Sequence, residues 1–274
     1  MKIKDHFLSQ ETFEIKASKY EGILKTAPMP SPEDLTRYYD SNAYISHQTK
    51  VSSLKDFIYQ SVKSHMLERK KKWIHKYKDH GKILDIGAGT GDFLNGFDNE
   101  KWEKFALEPS TKLHKVLIQK GITLVEKLSE FDNDSFDVIT LWHSLEHIPD
   151  IEDTLSNLKR IIKNEGTIFI AVPNHKSYDA RYYKNFWAAW DVPRHLWHFS
   201  RNGLKDFIQK YAFHCLEEKG LVFDAFYVSL LSEKYKPNGF LPRGIYTGFI
   251  SNLKAKRTKE FSSVLYVLKA DITN

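Results

Sequence analysis

The chain has 274 residues, 41% hydrophobic, 28% charged and 14% aromatic, a balance that excludes collagen-like, low-complexity and largely disordered polymers. Forty-one Lys and Arg against thirty-five Asp and Glu give a net charge of +6, which favours an anionic partner without naming one. No apolar run approaches the roughly 20 residues that cross a bilayer, the N-terminus lacks a secretory apolar stretch, and the single cysteine, Cys215, cannot form an internal disulfide. A cytoplasmic, non-membrane protein is therefore expected.

Residues 1 to about 50 read as irregular and aromatic, with Pro28, Pro30 and Pro32 marking a turn before a short helix at Pro32 to Tyr39. A long helix follows from about Ser52 to Tyr77, its basic run Arg69 to Lys72 forming a solvated face, and Gly81 is placed as its C-terminal glycine. From Lys82 the pattern becomes strand, turn and helix in repetition. Strands are expected at Lys82 to Ile86, Phe105 to Glu108, Thr123 to Glu126, Phe136 to Leu141 and Thr167 to Val172, with helices at Thr111 to Lys120 and Ile151 to Ile162. Such alternation predicts an α/β protein, a mostly parallel sheet with helices on both faces. After Pro173 come an aromatic-rich segment through Phe199, a helix at Asn202 to Tyr211, a strand at Leu216 to Phe226, a helix at Pro242 to Lys256 and a last strand at Phe261 to Lys269. A strand that arrives after such an excursion can join the sheet antiparallel.

The strongest local signal is Ile83-Leu-Asp-Ile-Gly-Ala-Gly-Thr-Gly-Asp-Phe-Leu94. Glycines at 87, 89 and 91, directly after an apolar strand, allow a tight turn and let a ligand reach the backbone where a Cβ would collide. Asp85 puts a carboxylate at the carboxyl end of that strand, where ligands of open α/β sheets bind. Glu108, seventeen positions after Gly91, ends the next strand and can accept both hydroxyls of a ribose diol, so the ligand should contain a nucleoside. A dinucleotide prefers Gly-x-Gly-x-x-Gly with a helix N-terminus aimed at its pyrophosphate. The Gly-x-Gly-x-Gly spacing found here disfavours NAD.

Across this segment the chain resembles the class I S-adenosylmethionine-dependent methyltransferases. The likeness continues at Phe136-Asp-Val-Ile-Thr-Leu-Trp-His-Ser-Leu-Glu-His-Ile148 and Gly166-Thr-Ile-Phe-Ile-Ala-Val-Pro-Asn174, and covers about residues 81 to 175. Trp190-Asp-Val-Pro-Arg-His-Leu-Trp-His-Phe199 and Tyr44-Ile-Ser-His47 are similar to a bacterial small-molecule branch of these enzymes. The resemblance implies a Rossmann-like, doubly wound seven-stranded sheet with an antiparallel last strand and a helical N-terminal extension. In domain terms, residues 1–80 would form the extension with a lid helix and 81–274 the methyltransferase domain, with a substrate-side insertion at about 174–200. It also implies S-adenosyl-L-methionine as cofactor, with Asp85, Gly87, Ala88, Gly89 and Gly91 around its methionine part and Glu108 on its ribose. Pro109, Lys127 and Leu128 would lie near the adenine, and Trp142 and His143 would complete the cofactor site. Some relatives carry an N-terminal cysteine-based zinc knuckle; Ala17 and Tyr20 stand where such a pair would fall, so no structural zinc is expected.

His143-Ser-Leu-Glu-His147 also matches an inverted zinc-protease signature, but that motif needs a helix, and here it follows a strand directly and meets Pro149. No metal is expected. His143 is read instead as lying beside the transferred methyl, with Glu146 and His147 supporting it. His143, His195 and His198 are the candidate catalytic bases, since an oxygen or nitrogen acceptor must lose a proton near neutral pH. Tyr44, His47, Asp191 and Arg194 are candidate acceptor contacts, Arg194 suiting an anionic small molecule, while packing of the tryptophans around satisfied polar groups is an equal reading of residues 187–199. The expected activity is methyl transfer to a small-molecule acceptor at oxygen. An NAD(P)-linked oxidoreductase on the same layered sheet and a non-catalytic nucleotide-binding module are the alternatives, and nucleic acid is not the expected substrate.

Overall fold

The computed structural model describes residues 1–39 and 54–271. Strands β1 (Lys2–Lys4), β2 (Thr12–Ala17) and β3 (Ile23–Ala27) open the chain, followed by the short helix α1 (Pro32–Leu35) and the long α2 (Leu54–His75). Then come β4 (Gly81–Ile86), β5 (Trp102–Leu107), α3 (Thr111–Gln119), β6 (Thr123–Val125), β7 (Phe136–Trp142), α4 (Ile151–Ile161) and β8 (Ile162–Pro173). The last part holds α5 (Tyr178–Tyr183), β9 (Trp197–Phe199), α6 (Arg201–Gln209), β10 (Phe213–Gly220), α7 (Val222–Tyr235), α8 (Leu241–Thr258) and β11 (Ser263–Ala270).

Seven strands form one sheet in the order β10-β11-β8-β7-β4-β5-β6. β4 pairs in parallel with both β5 and β7, and β5 with β6. Lys269 pairs with Glu165 at one end of β8, and the Asn174 N–H reaches the Ser262 carbonyl at the other. The last strand therefore runs antiparallel, inserted between β8 and the edge strand β10. Strands β4 and β7 are buried on both faces, with Ile83, Leu84, Val138, Ile139 and Leu141 fully covered, the unbroken apolar pattern of central parallel strands. No described helix is long and apolar enough to cross a membrane.

Where expectation and structure part, the reasons are long-range. The supposedly irregular first residues form an antiparallel sheet, β1-β2-β3-β9, whose third strand pairs with a strand far downstream, Leu24 opposite His198. Gly81 opens β4 instead of ending α2, held there because a Cβ would strike the Asp137 carboxylate at 2.4 Å. The stretch after the glycine loop makes one 3-10 turn, Leu94–Gly96, in place of a helix. The strand expected at Leu216 to Phe226 stops at Gly220, and α7 starts at Val222.

Two compact units interleave in the sequence. One comprises residues 1–39, 143–151 and 170–267; the other, 54–142, 152–169 and 268–271. In the first, Ile3, Phe13 and Ile15 alternate inward from the small sheet onto Tyr38, Trp187, Trp190 and Val192. Trp187 and Trp190 of the aromatic segment are thus core. Asp179, fully buried on α5, organises that core through three donors: Trp187 Nε1 at 2.7 Å, Ser251 Oγ at 2.6 Å and Ser262 Oγ at 2.7 Å. Replacing Asp179 with Ala strands all three donors without solvent. A loss of about 2–4 kcal/mol in unfolding free energy is expected by urea denaturation, whereas a merely peripheral contact would cost under about 0.5 kcal/mol.

Candidate functional site

The parallel register of β4 and β7 sets Asp85 opposite Thr140, and the Thr140 hydroxyl donates to Asp85 Oδ1 at 2.6 Å. Asp85 is 3% exposed. Burial pushes its carboxyl up to about 7, against the pull of Thr140 and of Lys70, whose ammonium also sits 4.4 Å from the Trp142 ring centre. Asp85 therefore sits at the threshold between its neutral and charged forms near physiological pH, and a bound cation would hold it ionised.

The loop beyond β4 turns through glycines at φ +77° (Gly87), +55° (Gly89) and +70° (Gly91). These positions serve different ends. A Cβ on Gly91 would collide with Leu117 at 2.6 Å and Ile122 at 2.7 Å, so this glycine lets the loop pack on α3 and its following turn. A Cβ on Gly89 would meet nothing within 4 Å, so its α-carbon borders open space that a ligand can approach. Glu108 fixes the loop: its Oε2 accepts from the Gly89 N–H and its Oε1 from the Ser110 N–H, both at 2.8 Å. Each oxygen accepts one of these bonds and retains capacity for another donor, as a ribose diol requires. Asp92 closes the loop between Lys63 and Lys120, each at 2.6 Å; these two cations overcome the effect of burial and hold its carboxyl at about 2.

Pro109 follows Glu108 directly, while an exposed Lys127 and a half-buried Leu128 lie at a turn just past β6, the backbone of Leu128 held by Arg160. The Trp142 ring packs among Phe93, Trp73 and Phe169, with centroids 5.5, 6.3 and 6.5 Å away. That environment gives Trp142 a packing role in the same unit as the glycine loop. Ala88 lies within the loop, and its carbonyl accepts from the Gly91 N–H.

The histidines belong to the other unit. His143 takes φ +55°, a left-handed turn at the first residue after β7. Its Nε2 is 2.9 Å from Asp224 and its Nδ1 3.4 Å from Glu146. Burial works against its charge, but the two carboxylates prevail and raise it to about 10. His143 is thus an imidazolium at neutral pH and cannot accept a proton there. His198 lies in β9, 4% exposed; the Thr26 hydroxyl donates to the His195 carbonyl, so His198 Nε2 must donate to Thr26, and burial drives its basicity well down. The geometry assigns His198 to joining β3 and β9.

Arg194, expected to face an anionic acceptor, is 2% exposed and fully engaged. Its N–H groups reach Asp5, both oxygens of Asp191 and the Tyr38 carbonyl. With all five donors in use, Arg194 and Asp191 hold the chain start to the aromatic segment. The sequence could not show this, because Asp5 gives no local sign of its partner. Tyr44 and His47 lie outside the described residues. Sequence reasoning also missed Thr140 and Asp224; the first was discoverable from strand register alone, the second was not.

His195 and His147 remain. The His195 Nδ1 faces the Ala189 carbonyl at 2.9 Å, and the His147 Nδ1 faces the Arg194 carbonyl at 2.9 Å and the Tyr39 hydroxyl at 2.8 Å. A carbonyl only accepts, so each Nδ1 carries a proton. Burial, with His195 beside it, lowers His147 to about 4, which keeps that ring neutral.

Residues 62–218, more than half of the chain, match the family model described as a methyltransferase domain, and the chain belongs to that family. A ubiquinone/menaquinone biosynthesis C-methyltransferase, UbiE, of Burkholderia mallei (strain SAVP1) is 27% identical over 122 residues, 38% of this chain and 50% of that protein. The chain thus spans about half the length of the curated relatives it matches. Among solved structures, Burkholderia thailandensis 1,6-didemethyltoxoflavin-N1-methyltransferase, with bound 1,6-didemethyltoxoflavin and S-adenosylhomocysteine, aligns at a TM-score of 0.54 and 13% identity, covering 98% of this chain and 100% of its own. Haemonchus contortus phosphoethanolamine N-methyltransferase 2 aligns at 0.56 and 15%, over 91% of this chain and 62% of its own. At these identities the likeness is one of fold.

The charge state of His143 is directly measurable. Its folded value lies above the ordinary 6.5, so the ion triad's contribution to stability is complete below about 6.5 and is lost as pH climbs through about 10. By histidine NMR, His143 should stay protonated from pH 6 to pH 8, and Asp224→Asn should bring its midpoint down toward the ordinary range. A wild-type midpoint near 6.5 would contradict the triad.

Proposed function

We propose that this protein is an S-adenosyl-L-methionine-dependent methyltransferase that modifies a small-molecule acceptor at oxygen. The observation that carries this reading is the pairing of a buried, nearly titrating Asp85 with a glycine whose α-carbon borders open space and with Glu108 at the end of the neighbouring strand. The donor set suits the cofactor part by part. Asp85 is placed for the cationic methionine end, the Gly87–Gly91 backbone for its approach, and Glu108 for the ribose hydroxyls, with Pro109 and the Lys127–Leu128 turn as the adenine candidates. When bound, the cofactor supplies an electrophilic methyl on a sulfonium.

The protein's own work is then to hold that cation, exclude water and remove the acceptor's proton. His143, already charged, serves as an electrostatic partner and not as a base. The Nε2 atom of His147, on a ring that burial keeps neutral, and that of His195 are the groups we assign to take a proton from an acceptor hydroxyl. A small-molecule acceptor is in keeping with the 1,6-didemethyltoxoflavin bound in the Burkholderia thailandensis structure; a base near neutral pH serves an oxygen acceptor, the target we propose, as it would a nitrogen one. In this reading residues 1–80 are the extension, 81–274 the transferase domain, and the segment at about 174–200 serves the acceptor. The dinucleotide alternative loses support from the single 3-10 turn after the glycine loop, which offers no helix N-terminus for a pyrophosphate.

Titration calorimetry tests the proposal. Heat is expected with S-adenosylhomocysteine and none with NADH, and the reverse would overturn it. Because Asp85 titrates near 7, affinity for S-adenosylmethionine should rise about tenfold from pH 6 to pH 8 as the carboxyl ionises. Asp85→Asn should weaken binding and flatten that slope; a flat wild-type profile would remove Asp85 from the site.

A further inference from the structure

Glu146 is 1% exposed, yet neither of its carboxylate oxygens accepts a hydrogen bond. Buried carboxylates ordinarily collect several donors, because the charge has otherwise no compensation for lost water. Its nearest cation, His143 Nδ1, stands 3.4 Å away and is shared with Asp224 on the opposite side of the ring. Beside the same carboxylate stand two imidazole rings, His147 and His195, whose Nδ1–H groups are spent on backbone carbonyls and whose centroids are 4.6 Å apart. One ligand atom each from Glu146, His147 and His195 lies within 4.8 Å of the others, and His195 Nε2 is 4.0 Å from Glu146 Oε1.

We propose that Glu146, His147 and His195 form a divalent-metal site, two imidazoles and one carboxylate, suited to zinc or a similar first-row ion. Three features favour metal over a simple hydrogen-bond cluster. Both rings donate Nδ1–H to backbone carbonyls, of Arg194 and Ala189, which fixes the tautomer and aims Nε2, as metal-bound histidines are usually held. The carboxylate oxygens are left for a ligand bond. The donor set is the nitrogen and oxygen mixture that zinc and its neighbours accept at about 2.0–2.2 Å, a spacing the trio reaches by small side-chain shifts. Asp191, whose Oδ2 is 3.9 Å from His195 Nε2, is already committed to Arg194 and remains outside the trio.

This is not the site that the His143-x-x-Glu-His147 spacing suggests. That signature needs both histidines on one helix. Here Leu145–His147 is a single 3-10 turn, His143 is turned to Asp224, and the second imidazole comes from His195, brought close because the Leu196 N–H bonds the Glu146 carbonyl at 2.8 Å. Three protein ligands leave open coordination for an oxygen donor; with the ion bound, His147 and His195 act as ligands and not as bases, and the ion would instead polarise an acceptor hydroxyl and ease its proton loss to solvent. That catalytic use rests on the proposed methyltransferase reading; the binding of the ion does not.

The test uses the full chain, stripped with a chelator and titrated with zinc chloride against a chromophoric competitor, without methyl donor. One equivalent should bind with a dissociation constant on the order of a micromolar or tighter. Glu146→Gln and His195→Asn should each weaken it at least about tenfold, while His80→Ala, an exposed histidine beside Asp79, should leave it unchanged. No binding tighter than about 100 µM, or binding indifferent to both substitutions, would overturn the site. Should the variants fail to fold, an anomalous map at the zinc edge from wild-type crystals decides: a peak among the three side chains supports it, and a peak elsewhere or none refutes it. Failure here with retained S-adenosylhomocysteine binding would sink the metal alone and leave the transferase reading standing.

Discussion

A carboxyl group buried at the carboxyl end of a central parallel strand is costly to ionise, and the glycine-loop unit is built around that cost. Asp85 has one hydrogen-bond donor in its own sheet, Thr140, which is too little to keep it fully charged at neutral pH. A cation arriving beside it supplies the missing stabilisation. In the proposed reading, the same energy that makes the residue expensive in the free protein would become selectivity for a positively charged ligand. Glu108 performs a different task nearby, since its oxygens tie down the Gly89 and Ser110 amides and set the loop's shape before any ligand binds.

The histidine cluster shows how environment sorts identical side chains. His143, between Asp224 and Glu146, is driven to the charged form. His147, buried with its Nδ1 spent on a carbonyl, is driven to the neutral one. His198 is consumed by the strand pairing of the small sheet through Thr26. Four histidines from two short segments thus end with distinct partners, and His147 and His195 stand together beside Glu146.

Much of this was legible in the sequence because its causes are local. The glycine triplet, Asp85 two residues ahead of it and Glu108 after the next strand follow from strand and turn geometry within thirty or so residues. The apolar runs of β4 and β7 announce buried parallel strands without ambiguity. What escaped is what distance determines. β3 finds β9 across most of the chain, Asp5 finds Arg194, and His143 finds Asp224. Helix α7 was misread because Leu221 to Leu231 is a short, nearly continuous apolar run, which carries neither the period of a strand nor that of a helix. Arg194 is the sharpest case: a lone arginine beside histidines looks like an anion receptor, and only the buried Asp5 and the half-buried Asp191 on either side reveal it as a brace.

The account depends on the Asp85, Gly89 and Glu108 cradle holding an adenosyl sulfonium compound. The most direct measurement is a crystal structure of the protein grown with S-adenosylhomocysteine. The ribose hydroxyls should lie on Glu108 and the amino-acid end of the ligand beside Asp85 and Gly89. Ligand density elsewhere on the protein, with that cradle filled by solvent alone, would contradict it.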